Sequence, residues 1–261
     1  MKKLPFVSII IPFYNEEVTI KDCLETITKL SYPKYEVIFV NDGSIDHGPS
    51  IVKRYLKNKK IRLVKGSHEG VARARNTGII HAKGKILVFT DADCIFYKDW
   101  LRKLVKPLVD NPKLGVVGGP DKTPENVPFM EKCVDFAMTS LISTGGLRGG
   151  DIILGKYYPR GCNMAIKKEM LDRVGVFDPR FGRNRGEEAE LEDRVKEIGY
   201  KLGFVKEALV WHRRRPSFKK FWKQNFASGY AYIIRMQYTK NFSIIHFIPS
   251  LLTSQACSSP S

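Results

Sequence analysis

The sequence lacks any uninterrupted apolar run of about 20 residues, the length that a membrane-spanning helix requires. The nearest approach is the apolar stretch 242–252, which stops at the polar tail 253–261. We interpret this stretch as the truncated start of a membrane region and expect the natural protein to continue into membrane helices. Repeats and low-complexity tracts are also missing, and 43% of the residues are hydrophobic, which argues against a disordered chain.

Cysteine is scarce and never forms a local metal motif. The five cysteines are odd in number and occur in no C-x-x-C pair and no Cys/His ligand spacing. No signal-peptide pattern precedes Pro5. These absences predict a protein of the reducing cytosol and argue against a zinc site.

Acidic residues are few relative to basic ones. The chain has 44 Lys and Arg against 27 Asp and Glu, a formal net charge of +17, which favours anionic partners. The excess is concentrated at 201–240, where about ten basic residues and several aromatic rings accompany a single acid, Glu207. Such a segment fits an anionic membrane surface or a nucleic-acid backbone. A solvated helix face that covers a core would show the same pattern.

The first part of the chain alternates apolar runs with helical patterns. The apolar runs are 7–11, 36–40, 61–64 and 86–90, and the helical patterns between them are 20–30, 50–56 and 70–81. Because the apolar residues of these runs are mostly consecutive rather than alternating with polar ones, they predict an α/β fold whose mostly parallel sheet is covered by helices on both faces. Further on, the pattern predicts a strand from about 114, a helix near 127–141, a mobile glycine-rich loop at 145–155, further strands and helices at 161–211, and an amphipathic helix after Pro216.

Polar clusters follow three of the apolar runs, at 12–16, 41–44 and 91–93. Ligands of open parallel sheets bind beyond the carboxyl ends of the strands, so we expect the three clusters to meet at one edge. The cluster Asp91-Ala92-Asp93 offers two carboxylates, the ligands that Mg²⁺ and Mn²⁺ prefer. A D-x-D pattern is common by chance, and turn capping is the alternative. Its place after a strand, in register with Asp42, favours the metal site.

Asp42 stands in the segment Asn41-Asp42-Gly43-Ser44, in which every residue type favours a turn for local reasons. The functional alternative is that its carboxylate accepts hydrogen bonds from a nucleobase, while three residues of the first cluster enclose the base and ribose. Those residues are Pro12, Tyr14 and Glu16.

Four motifs together resemble those of the family 2 glycosyltransferases of GT-A fold, over about residues 5–230. They are the segments 8–16, 41–44, 74–78 (Ala-Arg-Asn-Thr-Gly) and 91–93. The resemblance implies an inverting transferase that depends on Mn²⁺ or Mg²⁺ and uses a nucleoside-diphosphate sugar, with UDP-sugars favoured over GDP-sugars. Asp93 is the implied metal ligand. The implied nucleotide-sugar contacts are Pro12, Tyr14, Glu16, Asp42, Arg73 or Arg75, Asp91 and Ala92.

The second part of the chain extends the resemblance. Segments 161–166 and 174–178 look like the family's acceptor-side region, and 186–191 is similar to its G-E-D-x-E-L helix start, whose Asp usually serves as general base. Glu188 stands at that position; the alternative is an acid-rich helix N-terminus that complements the helix dipole. His212 stands where such enzymes often place a third metal or phosphate contact, with a structural histidine as the alternative.

The resemblance also divides the chain into three parts. Residues 1–115 are the implied nucleotide-sugar-binding half, 116–215 the acceptor-binding and catalytic half of the same domain, and 216–261 a basic amphipathic helix with the start of a membrane region. The implied acceptor is lipid-linked or a glycan, or alternatively a polyprenyl phosphate, at the cytoplasmic face of the cell membrane. A basic RNA-binding module is the non-enzyme alternative. It leaves the polar strand ends unexplained, so we expect no nucleic-acid partner.

Overall fold

The computed structural model describes residues 4–139, 159–181 and 186–213, and the single positions 217, 219, 222 and 226. The predicted loop at 145–155 and the apolar stretch 242–252 lie outside the described residues, as does nearly all of the predicted helix after Pro216. In the part of the chain that is described, no helix is both long and apolar enough to cross a membrane.

The described chain contains a large sheet and a small one. The strands are β1 (Val7–Phe13), β2 (Tyr35–Asn41), β3 (Ile61–Lys65), β4 (Ile86–Thr90), β5 (Cys94–Phe96), β6 (Leu114–Gly118), β7 (Asp121–Lys122), β8 (Asn163–Lys167), β9 (Lys201–Phe204) and β10 (Val210–His212). The large sheet has the order β3-β2-β1-β4-β8-β6-β9. Its neighbours pair in parallel except at β8, which is antiparallel to both β4 and β6. The predicted mostly parallel α/β sheet is confirmed.

Helices cover both faces of the large sheet. The helices of the described chain are α1 (Ile20–Ile27), α2 (Gly48–Arg54), α3 (Val71–His81), α4 (Trp100–Asp110), α5 (Phe129–Thr139), α6 (Lys168–Val174) and α7 (Glu187–Glu197). The core on one face includes residues of α1, α2 and α4, and the core on the other includes residues of α3, α6 and α7. Side chains of β1 alternate between two cores, since Ile9 and Ile11 pack with α1 and α4 and Ile10 packs with α3, α6 and α7. Burying each such side chain contributes about 1.5–3 kcal/mol, which fixes the register of β1 at the centre of the sheet.

Helix α3 lies unusually close to the sheet because of Gly78. A Cβ atom at this position would lie 2.3 Å from Ile10 Cγ2 in β1, a separation that real carbon atoms do not reach. The glycine in the motif at 74–78 therefore brings the helix against β1. This close packing carries Arg75, one turn earlier on α3, to the carboxyl edge of the sheet.

The small sheet has the order β5-β10-β7. In it β10 runs antiparallel to β5, with His212 opposite Cys94, and parallel to β7, with Val210 opposite Asp121. The sequence pattern did not predict these strands, because two or three residues are too few to show a periodicity. Their pairing brings the end of β10 beside the residues that follow β4.

Candidate active site

The loops that follow β1 and β2 interlock at the carboxyl edge of the large sheet. The Asp42 N–H donates to the Phe13 carbonyl at 2.9 Å. The Asn15 N–H donates to Ser44 Oγ at 3.1 Å, and the Ile45 N–H donates to Asn15 Oδ1 at 2.9 Å. The first two polar clusters therefore meet at one edge, as expected.

The Asp42 carboxylate is buried and holds the loop that follows β3. Its oxygens accept hydrogen bonds from the backbone N–H groups of His68, at 2.8 Å, and Gly70, at 3.0 Å. The His68 ring lies 4.9 Å from the exposed Tyr14 ring, centroid to centroid. Because a carboxylate oxygen has two lone pairs, these bonds leave Asp42 able to accept from a nucleobase as well.

The other residues predicted to contact the nucleotide sugar differ in their position in the fold and in their burial. Pro12 is buried near the end of β1, Glu16 lies in the loop before α1, and Ala92 is buried. Arg73 is on the solvent side of α3, where its Nε lies 2.8 Å from Glu69 and both side chains are 48% exposed. A direct contact of any of them with a nucleotide stays a prediction.

Arg75, by contrast, is buried among three carboxylates. Its Nη1 lies 2.6 Å from Glu187 Oε1 and 3.2 Å from Glu188 Oε1, and its Nη2 lies 3.6 Å from Asp91 Oδ1. Burial by itself lowers the pKa of a guanidinium, but Glu188, Glu187 and Asp91 together raise the pKa of Arg75 above its ordinary value. One buried cation thus joins the residues that follow β4 to the start of α7.

The Glu188 carboxylate is oriented by the segment before β8. Its Oε1 accepts the Gly161 N–H at 3.1 Å. A Cβ atom at position 161 would lie 2.0 Å from Arg75 Nη2 and 2.5 Å from Glu188 Oε1. Any larger residue at position 161 would therefore displace the ion pair, which explains why the residue at this position is glycine.

The two consecutive acids at the start of α7 differ in exposure. The Glu187 side chain is 2% exposed, whereas the Glu188 side chain is 21% exposed. Only the second can meet a substrate without a rearrangement of the core. The sequence motif predicted the functional acid at 188, and it did not predict that Glu187 would be the buried partner of Arg75.

His212 lies between two carboxylates that come from different elements. Its Nε2 is 3.2 Å from Asp93, and its Nδ1 is 3.5 Å from Asp121 Oδ2. The Arg213 N–H also donates to the Asp93 carbonyl at 3.3 Å, so the backbone itself connects the end of β10 to the loop after β4. The two residues predicted as metal ligands, Asp93 and His212, are therefore in contact.

The donor atoms at this contact suit a divalent cation. Ligand atoms of Asp93, Cys94 and His212 all lie within 4.8 Å of one another. Burial lowers the pKa of His212, but the carboxylates, Asp93 first, raise it well above its usual range. A cation would replace that proton between imidazole and carboxylate, and the Asp121 carboxylate lies 3.5 Å from the far ring nitrogen, the side on which metal-binding histidines commonly have an acidic partner.

Several residues of this edge were missed from the sequence. His68 follows β3 and Asp121 follows β6 by a few residues, so the rule that ligands bind beyond strand ends would have found both had it been applied to those strands. Glu187 gives no comparable signal, because its role depends on a contact with Arg75, far away in the chain.

The chain matches known protein families and relatives. The family model described as Glycosyl transferase family 2 matches residues 8–175. Glycosyltransferase AglE of Haloferax volcanii is 31% identical over 231 residues, which cover 87% of this chain and 72% of that protein. The poly-beta-1,6-N-acetyl-D-glucosamine synthase of Staphylococcus epidermidis is 27% identical over 220 residues, 84% of this chain and 52% of that protein. The chain thus spans only about half of the second relative.

Solved structures share the fold at lower sequence identity. The mannosyltransferase PcManGT from Pyrobaculum calidifontis, in complex with GDP-Man and Mn²⁺, aligns with a TM-score of 0.71 and 22% identity over 99% of this chain and 77% of that one. TarS of S. aureus, as residues 1–349 in complex with UDP-GlcNAc, gives a TM-score of 0.61 and 17% identity over 91% and 68%. The family match over most of the sheet and the structures of these neighbours agree with the motifs at the strand ends. The chain therefore belongs to glycosyl transferase family 2 and is a glycosyltransferase of GT-A fold.

Proposed function

We propose that the chain is an inverting transferase that moves a sugar from a nucleoside-diphosphate sugar to a lipid-linked or glycan acceptor at the cytoplasmic face of a membrane. UDP-sugars are the favoured donors and GDP-sugars the second choice; the neighbours above hold both kinds. The main support for the proposal is that the Arg75 guanidinium contacts both Asp91 and Glu188. It couples the nucleotide-sugar half, 1–115, to the acceptor half, 116–215.

On the donor side, the residues after β1 and β2 would hold the nucleoside. Asp42 is fixed by two backbone N–H groups and can accept a further donor from the base. Tyr14 is exposed beside the His68 ring, where it can cover a planar base. Asp91, whose Oδ1 lies 3.6 Å from Arg75 Nη2, would accept hydrogen bonds from the ribose.

Asp93 and His212 would hold the divalent cation, Mn²⁺ or Mg²⁺. When bound, such an ion stabilises the negative charge on the departing diphosphate. The protein's own task at this point is to orient the His212 ring so that Nε2 faces Asp93, at 3.2 Å, with the Asp121 carboxylate 3.5 Å from Nδ1.

On the acceptor side, Glu188 would take the proton from the attacking hydroxyl group. The Gly161 N–H, at 3.1 Å, and Arg75, at 3.2 Å, orient its carboxylate. A polyprenyl phosphate acceptor, the alternative, is already ionised and would need no base.

Contact with a membrane surface is supported by the C-terminal positions that the structure describes. Trp222 and Phe226 are 63% and 72% exposed, four residues apart in a strongly basic segment. Aromatic rings beside basic side chains fit the interface of an anionic bilayer.

The donor can be tested by thermal-shift measurements with UDP-, GDP- and dTDP-sugars, each with and without Mn²⁺. A donor that binds the folded state raises the midpoint, and the stabilisation grows with the logarithm of its concentration over its Kd. We expect a metal-dependent rise for one nucleotide class. If none of these sugars shifts the midpoint under either condition, the proposed donor is wrong.

The base can be tested with Glu188→Gln, which keeps the side-chain shape. We expect donor binding to persist while transfer to a hydroxyl acceptor falls by about 10² to 10⁴, the usual worth of a general base. Glu197→Gln, at the exposed end of the same helix, is the matched control and should transfer normally. Wild-type turnover by Glu188→Gln with a hydroxyl acceptor would refute the assignment, whereas insensitivity confined to a phosphate acceptor would favour the alternative.

A further inference from the structure

A second set of donor atoms lies directly behind the proposed metal ligands. The Asp121 carboxylate, the Cys162 thiol and the His212 imidazole offer ligand atoms that all lie within 4.8 Å of one another. They come from the start of β7, from the residue before β8 and from the end of β10. Asp121 and Cys162 are both buried. Forty or more residues separate neighbouring members along the chain, which is why the cysteine spacing shows no zinc motif.

Both the carboxylate and the thiol of this set are buried, whereas in the set of Asp93, Cys94 and His212 the Asp93 side chain is 20% exposed. Sulfur, nitrogen and oxygen ligands in one site are typical of Zn²⁺, whereas Mg²⁺ and Mn²⁺ prefer oxygen. Zinc bonds of about 2.0–2.3 Å at tetrahedral angles place ligand atoms about 3.3–3.8 Å apart, so side-chain movements of about 1 Å would complete the site. The His212 Nδ1 atom is buried and has no hydrogen-bond partner among the described residues, with Asp121 Oδ2 at 3.5 Å.

We propose that Asp121, Cys162 and His212 form a site for a thiophilic divalent cation such as Zn²⁺, and that its occupation prevents Asp93 and His212 from holding the metal used in sugar transfer. The first half of the proposal concerns this site alone. The second half rests on the proposed function, since it requires a transfer metal at Asp93.

The two cations exclude each other because each would bind a different nitrogen of the same His212 ring. A neutral histidine has one nitrogen with a lone pair and one that carries a proton. A cation bound to Nδ1 places that proton on Nε2, which then donates to Asp93 and can no longer bind a metal beside it. Nε2 faces Asp93 at 3.2 Å, so this hydrogen bond forms without movement of either residue.

Binding also changes the state of Cys162. Burial, together with Asp121, raises the pKa of the Cys162 thiol above its ordinary value, so the metal-free thiol keeps its proton. A coordinating thiol is deprotonated. The S–H proton therefore passes to solvent as the sulfur–metal bond forms, and no oxidation or reduction is involved.

Co²⁺ is the probe for the thiol ligand, because cobalt bound to a thiolate gives a charge-transfer band in the near ultraviolet. We expect this band in the wild-type protein and its loss in Cys162→Ser. Cys133→Ser, which changes an exposed cysteine on α5, should keep it. Cys94→Ser should also keep it, and loss of the band in that variant would place the cobalt in the set of Asp93, Cys94 and His212 and overturn the proposed site. Absence of the band from the wild type, or its survival in Cys162→Ser, would overturn the proposed site.

The fold does not depend on the Cys162 thiol for its main hydrogen bond, since Thr90 Oγ1 donates to the Cys162 backbone carbonyl at 2.7 Å. Circular dichroism and the metal-free thermal midpoint check that Cys162→Ser is folded, and Cys162→Ala repeats the test if it is not. Loss of a ligand should weaken Zn²⁺ binding by more than the about 10- to 100-fold that removal of a ligand's outer partner costs.

Mn²⁺ electron paramagnetic resonance tests the exclusion separately. Adding Zn²⁺ to Mn²⁺-loaded wild-type protein should restore the signal of free Mn²⁺, and Cys162→Ser should require far more Zn²⁺ to do so. Mn²⁺ that stays bound while Zn²⁺ binds would refute the exclusion. If the wild type binds no Mn²⁺ at all, the proposed transfer metal fails while the cobalt result still decides the inner site.

Discussion

The buried cluster around Arg75 makes a quantitative prediction for Arg75→Met. The substitution keeps an unbranched side chain on α3 but removes the cation that lies 2.6 Å from Glu187 Oε1. Removing one partner of a buried ion pair typically costs about 3–5 kcal/mol, because the other charge stays in the core. A domain of this size is stable by only about 5–15 kcal/mol, so the loss is a large fraction of the total.

Thermal unfolding measures the effect directly. For a protein of roughly this length, each kcal/mol shifts the midpoint by about 2–4 °C, which predicts a fall of about 6–20 °C for Arg75→Met. Arg73→Met is the matched control, two residues earlier on the same helix. Its ion pair with Glu69 is half exposed, and such pairs contribute at most about 1 kcal/mol.

The double variant Arg75→Met with Glu187→Gln separates the ion pair from simple loss of packing. If the cost arises from an uncompensated carboxylate, neutralising Glu187 should restore a substantial part of the midpoint, and the two effects should depart from additivity by about 0.5–3 kcal/mol. A midpoint for Arg75→Met within the range of the Arg73→Met control would refute the reasoning, and strict additivity would assign the loss to packing.

Three further predictions concern the site and the surface. Asp93→Ala should abolish the Mn²⁺-dependent part of nucleotide-sugar binding with the fold intact, and Asp91→Ala should weaken binding less. Calorimetric titration measures both affinities, and wild-type affinities in the two variants would contradict this prediction. Burial raises the pKa of three cysteine thiols of the described chain, Cys23, Cys94 and Cys162, so they stay protonated at pH 8. They should react with a disulfide reagent far more slowly than the exposed Cys133. Equal reaction rates before and after unfolding would be inconsistent with their burial. The chain should sediment with anionic vesicles through residues 213–223, less so at high salt, and equal binding to neutral vesicles would exclude the electrostatic explanation.

The central strands and the polar strand ends could be predicted because their signals are local. The four apolar runs match β1 to β4 closely, since a strand buried on both faces is apolar at most positions. The carboxyl ends of parallel strands share one edge, and by this rule Asp42 and the segment 91–93 were predicted to lie at the same edge, after β2 and β4. The motif at 74–78 likewise marked α3 correctly.

The remaining features could not be predicted because they depend on pairing between distant segments. β8 enters the large sheet antiparallel between β4 and β6, although it follows them by a long connection. The strand β10 has three residues and acquires its position only from β5 and β7. Arg75 was expected near the nucleotide, and only the fold shows that carboxylates from α7 surround its guanidinium.

The acids at the start of α7 show how packing divides chemical roles that the sequence leaves open. Consecutive residues of a helix point about 100° apart, so Glu187 faces the core and binds Arg75 while Glu188 reaches the edge of the site. The third acid of this turn, Glu190, is paired with Arg194 at 2.6 Å. Because Glu187 supplies the short, buried contact to the guanidinium, Glu188 needs only the longer one at 3.2 Å. Its carboxylate can therefore be held in place by Arg75 without being committed to it, which is the condition that a general base beside a buried cation has to meet.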